Sequence, residues 1–159
     1  MDEEQRYFED VQVGDELPTR EFGPLSIVDT VRWCGFQENW TARLHYDREY
    51  VREHSGLRTF IASGAYREAL LARTLTDWIG PQGLLRKLSI RQTAPTFEGD
   101  LMIYGARVVE KSASAAEPWV ACEVDGKNQD GQQIITGQCT LTIPARSQVA
   151  SEGRGGAGA

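Results

Sequence analysis

The chain has 159 residues, enough for one domain that buries its own core without covalent staples. Seventeen Lys and Arg against twenty-three Asp and Glu give a formal net charge of −6 and a pI near 5.0, which excludes the broad basic face of a general nucleic-acid binder. The three cysteines, Cys34, Cys122 and Cys139, are too irregularly spaced for a disulfide framework or a zinc site and read as buried thiols of a reducing cytosol. The acidic first ten residues carry no secretory signal, and no apolar run approaches the ~20 residues that cross a bilayer. The expectation is a cytoplasmic domain with no metal and no membrane segment.

In chain order, residues 7–15 read as an arm that ends in a Gly14-Asp15 turn, followed by a short β-like stretch broken by Gly23-Pro24. Ser26 with Asp29 three residues on is a capping-box start, and Ile27, Val31, Cys34 and Phe36 give a roughly helical stripe to about Glu38. Residues 39–47 break the pattern, and Asp47 then caps a short helix through Tyr50 and Val51 that stops near Gly56. The clearest helix starts at Ser63, runs over 65–79 and stops at Gly80-Pro81. Ala65, Ala69, Ala72 and Thr76 form a small-residue stripe on it, expected to lie close against a sheet, with Leu71, Leu75 and Trp78 on the adjoining face.

From Leu84 the period changes to two. Strands are expected over 84–94, 101–111, 119–128 and 134–144, with Glu98-Gly99-Asp100 and Asp130-Gly131 as turns. Residues 1–145 form the domain. Residues 146–159, rich in Ser, Gly, Ala and charge, read as a disordered tail. One long helix followed by a meander of strands is an α+β pattern.

Several segments resemble MaoC-like acyl dehydratases and (R)-specific enoyl-CoA hydratases. They are Tyr7 to Asp15, Leu44-His45-Tyr46-Asp47, Ile61-Ala62-Ser63-Gly64, Thr96 to Asp100, and Asn128 to Gly131. The similarity runs from Tyr7 to Pro144. It implies a hotdog fold, an antiparallel sheet wrapped around one long central helix, usually dimerised edge to edge. It also implies a substrate that is an acyl-CoA or acyl-carrier-protein thioester, with no bound cofactor. Such a site needs an acid/base group, a donor for the enolate-like thioester oxygen and a tunnel for the acyl chain.

His45 matches the family's catalytic histidine. Gly64 matches the thioester-oxygen donor through its backbone amide, where an ordinary helix start is the plain alternative. The family's acid stands five residues before the histidine, and this chain has Trp40 there with Asn39 one step further out. Asn39 is therefore the candidate water-orienting residue, and Trp40 the candidate acyl contact. Glu38 and Asp47 are nearby carboxylates, the latter better read as a helix cap. Ser63 stands where the family often has His and joins Gly64 as a substrate-binding candidate. Arg86, Lys87 and Arg91 form a basic cluster that suits CoA phosphates or, as preferred, a solvated face. His54 matches nothing in the family and reads as surface.

Three functions are compatible with these residues. The first is an enoyl-CoA hydratase or 3-hydroxyacyl dehydratase. The second is a catalytically incomplete subunit of a heteromer with a second MaoC-like chain. The third is a hotdog acyl-CoA thioesterase, which the fold alone does not separate from the others.

Overall fold

The period-two pattern becomes four long antiparallel strands, and the small-residue-rich segment becomes the helix they enclose. The computed structural model describes residues 5–147. Among these, β1 (Arg20–Phe22) precedes α1 (Ile27–Phe36), α2 (Arg48–His54) and α3 (Gly64–Ile79). The remaining strands are β2 (Leu84–Gln92), β3 (Met102–Lys111), β4 (Trp119–Lys127) and β5 (Gln133–Thr142). The sheet order is β1-β3-β4-β5-β2, antiparallel throughout. This is the α+β hotdog arrangement that the resemblance implied. The expected tail lies outside the described residues, apart from Arg146 and Ser147.

Alternation decides which face is buried. Met102, Tyr104, Ala106 and Val108 of β3 point into the core, as do Val120, Cys122 and Val124 of β4 and Cys139 and Leu141 of β5. They meet Leu71, Leu75 and Ile79 of α3, all fully buried, each such side chain contributing roughly 1.5–3 kcal/mol by leaving water. Register shifts at Leu85/Lys87 and Val108/Glu110 mark bulges, which bend the sheet around the helix. Cys122 and Cys139 face each other across β4 and β5 as buried free thiols, and the Cys139 hydrogen bond and burial together push the Cys122 thiol up.

The N-terminal arm closes the far end of the helix. The Gln5 side-chain amide donates to the Ile79 carbonyl at 2.9 Å, satisfying one of the orphan carbonyls at the helix C-terminus. Phe8 is buried, its amide bonds the Pro144 carbonyl at 3.0 Å, and the Lys111 ammonium holds the carbonyls of Phe8 and Val11. Arg20 of β1 and Arg73 both pair with Asp77, tying the edge strand to α3.

Two expectations need correction. The Ala65, Ala69, Ala72 and Thr76 stripe does not form the buried face of α3: Ala65 and Thr76 are exposed, and Ala69 and Ala72 are half-buried at the edge beside β2. The buried residues of α3 are Arg67, Leu71, Thr74, Leu75 and Ile79, on a different face from the small ones, and Ala65, Ala69 and Ala72 border a groove shared with Leu85, Leu88 and Trp33. On α1 the buried positions are Thr30 and Cys34, whereas Val28, Val31 and Phe36 are exposed, because the helix presents its i, i+4 pair inward and its other apolar side outward. The basic cluster keeps its expected place. Arg86, Lys87 and Arg91 are all exposed, as a solvated face requires, with Arg86 beside Glu110, Glu117 and Trp119 and Arg91 beside Arg107, Glu123 and Asp125.

Candidate active site

His45 is positioned by a chain of local constraints. The capping box at Ser26 and Asp29 starts α1 as expected. Glu38, in the left-handed region at φ 52°, follows its end and turns the chain. Its amide bonds Gly35 O at 3.2 Å. The chain then forms a short 3₁₀ turn, Arg43–His45, whose residue Leu44 packs on the core. Asp47 closes this turn through its amide to the Arg43 carbonyl at 2.9 Å and caps α2 by accepting from the Tyr50 amide at 2.9 Å.

The imidazole of His45, partly buried, places Nδ1 2.9 Å from the Ile61 carbonyl oxygen. A carbonyl only accepts, so Nδ1 is the donor, and in the neutral form of the ring the lone pair lies on Nε2. That is the tautomer a general base needs.

Ile61 belongs to the segment that delivers the start of α3. It bridges Phe97, and the Ala62 amide bonds the Thr96 carbonyl at 2.9 Å. Ser63 caps the helix by accepting from the Tyr66 amide at 3.1 Å, and Gly64 is the first helical residue. The first-turn amides of a helix have no intrahelical carbonyl, and the helix dipole adds partial positive charge there. His45 and the N-terminus of α3 are thus joined through the four residues Ile61 to Gly64.

The other candidates are placed as follows. Asn39 is exposed, accepts from the Thr41 hydroxyl at 3.1 Å and donates its backbone amide to Cys34 at 3.0 Å; among the described residues none of its hydrogen bonds reaches His45. Trp40 is 54% exposed, lies over Gly35 and meets Tyr46 edge-on. The Asp47 carboxyl is held below its ordinary range by the Tyr50 amide and then by Arg43, so it is engaged as a cap and ion pair. Glu98 is likewise held low by Arg48 and Thr59. His54 is exposed and stacks on Tyr50.

Two residues that the sequence reading passed over stand beside Gly64. Arg67 is only 5% exposed although it carries a guanidinium. Its Nη1 donates to the Ala94 carbonyl at 2.7 Å and the Thr96 hydroxyl at 3.2 Å, its Nη2 donates to the Gln92 side-chain oxygen, and its Nε has no partner. Burial pushes the Arg67 guanidinium down and the buried Tyr104 hydroxyl up. A signal was present in the sequence. Arg67 shares a helical face with Leu71 and Leu75, and Gln92 follows Leu88 and Ile90 on the inward face of β2.

Among the described residues no three His, Cys, Asp or Glu side chains gather as metal ligands, and no helix is long and apolar enough to cross a membrane.

Comparison with known proteins rests on structure. No family model matches the chain, and no curated protein matches it in sequence. The (R)-hydratase PhaJ1 from Pseudomonas aeruginosa superposes with a TM-score of 0.78 at 20% identity, covering 88% of this chain and 86% of that one. A MaoC-like dehydratase from Rhodospirillum rubrum gives 0.74 at 23% identity, covering 89% and 98%. A chain of the ChsH1-ChsH2 complex from Mycobacterium tuberculosis gives 0.72 at 20% identity, covering 83% and 98%.

Proposed function

We propose, from the MaoC-like hotdog fold that this chain has, that it is a cytoplasmic hydratase or dehydratase of acyl thioesters. It adds water to a 2-enoyl-CoA, or to the corresponding acyl-carrier-protein thioester, or removes water from the (R)-3-hydroxyacyl form. The observation that carries this reading is the His45 Nδ1 contact with Ile61 O at 2.9 Å, which frees Nε2 as a base next to the N-terminus of α3.

In the hydration direction, His45 Nε2 takes a proton from water as the water oxygen bonds to the β-carbon. The π electrons move to the thioester oxygen, where the Gly64 amide and the helix dipole stabilise the enolate. The enolate collapses as the α-carbon takes up the proton that His45 Nε2 received from the water, so the ring returns to its starting form, one water is added and nothing is oxidised. Asn39 orients the water, Ser63 holds the start of α3 and borders the thioester, and Trp40 contacts the acyl group.

Mixing the purified chain with a short and a bulky 2-enoyl-CoA and following the enone absorbance tests the reading. Loss of the band supports it, and an unchanged band with both substrates overturns it. Release of free thiol instead assigns a thioesterase.

A second reading has its own observation. The Asn39 side chain accepts from the Thr41 hydroxyl and the nearby Asp47 is committed to α2, so no carboxylate partners His45 among the described residues. A chain with half a site works in a heteromer with a second MaoC-like chain. Activity that appears only when such a partner is added distinguishes this reading. Either way the chain pairs with another: β2 is a nine-residue strand at the edge of the sheet, with a row of unpaired backbone groups that proteins do not leave open. The simplest partner is a second copy.

A further inference from the structure

The Gln92 side chain lies directly against the first residue of α3. A β-carbon on Gly64 would sit 2.5 Å from Gln92 Nε2 and 3.1 Å from its Cδ. The amide can face only one way. Arg67 has donors and no acceptor, so the oxygen of Gln92 must meet Arg67, which leaves the NH₂ group turned away from it, against Gly64. Among the described residues that NH₂ donates to no protein acceptor, and Gln92 is exposed. A free donor therefore sits in solvent-accessible space beside the helix N-terminus.

Arg67 holds this arrangement from behind. Its remaining hydrogen bonds go to the Ala94 carbonyl and the Thr96 hydroxyl, both neutral, and it is 5% exposed. A guanidinium on the carbonyl oxygen of an amide draws electron density from the amide nitrogen and strengthens its N–H as a donor. With only neutral partners, the buried cation also leaves a net positive field at the site. Such a field favours a full charge on the thioester oxygen more than the partial charge of the ground-state carbonyl.

We propose that Gln92 is a second catalytic donor to the thioester oxygen, acting beside the Gly64 amide, and that Arg67 is the positioning residue that orients and polarises it. The assignment rests on the hydratase reading above.

Gln92→Glu separates this role from a structural one. A carboxylate still accepts from Arg67, so the packing is retained, but it has no proton to donate. With crotonyl-CoA as the probe, Gln92→Glu retains the wild-type melting temperature, loses kcat by about 10²–10³-fold as for other oxyanion donors, and changes KM little. Arg67→Met lowers kcat in the same direction. Difference infrared spectra with carbonyl-labelled crotonyl-CoA give the second readout: the bound thioester stretch moves to lower frequency in the wild type and loses much of that shift in Gln92→Glu. If Gln92→Glu fails to fold, Gln92→Met is read by the same two measurements. A variant with wild-type kcat overturns the proposal, as does a kcat loss with the carbonyl shift intact, and in both cases the hydratase reading survives. A wild-type chain that neither binds nor hydrates crotonyl-CoA or a bulky enoyl-CoA overturns both.

Discussion

The backbone amide of Asn39 donates to the carbonyl of Cys34 at 3.0 Å, and this one bond locks the exit of α1 onto the segment that carries His45. Together with the Glu38 amide on the Gly35 carbonyl at 3.2 Å it is the paired pattern that closes a helix with a left-handed residue. Glycine usually holds that place. Here it is Glu38, at φ 52°.

Glu38→Gly should therefore stabilise the fold by about 1 kcal/mol, the cost of the left-handed conformation for a residue with a β-carbon. Urea denaturation with an unchanged slope measures this. If kcat falls in the same variant, the Glu38 carboxylate has a part in the reaction that its place at the helix end does not explain.

His45→Ala should lower turnover by ~10²–10⁴-fold, the usual contribution of a proton-transfer residue, with circular dichroism unchanged. Asn39→Ala should cost less, because an amide only positions the water. If neither change affects an active preparation, the chemistry belongs to a partner chain.

Asp47→Ala should lower the melting temperature and leave kcat unaltered, since the carboxylate is committed to the Tyr50 amide and to Arg43. The pH dependence has a definite sign. Asp47 and Glu98 are both held below their ordinary ranges in the folded chain. Their contributions are thus complete above the unfolded values, about 3.9 and 4.3, and are lost as pH falls through the lower folded ones. Melting temperature followed from neutral to acid pH should fall less steeply in Asp47→Asn combined with Glu98→Gln.

Light scattering at micromolar concentration should report at least a dimer, because β2 otherwise leaves an open edge. A monomer at that concentration removes the edge-to-edge assembly.

Much of the frame was legible because local chemistry and tertiary structure agree. Ser63 and Gly80 bound α3 through the preferences of caps, and Leu88, Ile90 and Gln92 alternate as a half-buried strand must. What was not legible depends on which apolar face turns inward. The alanines of α3 suggested the buried side of the helix, but Leu71 and Leu75 bury more area and take the core side, which leaves Ala69 and Ala72 at the edge beside β2. Arg67 was passed over for a related reason, although it lies in line with Leu71 and Leu75. A charged residue on a helix reads as solvated, and only the fold brings Ala94, Thr96 and Gln92 around it. At the site, the resemblance points to His45 and Gly64, and only the fold joins them through Ile61. The sequence does not supply His45 with an acid, because the matching position holds Trp40.

The closure of the arm over the end of α3 has a practical use. Phe8 bonds Pro144 and Arg146 pairs with Asp10, so the two ends of the described chain lie side by side at the C-terminal end of that helix. The 16 residues of α3 span ~24 Å, and Gly64 stands at the other end. A dye, affinity handle or surface tether at either end of the described chain therefore attaches a helix length away from the proposed thioester site, and a short peptide joining those two ends would allow new ends to be opened elsewhere.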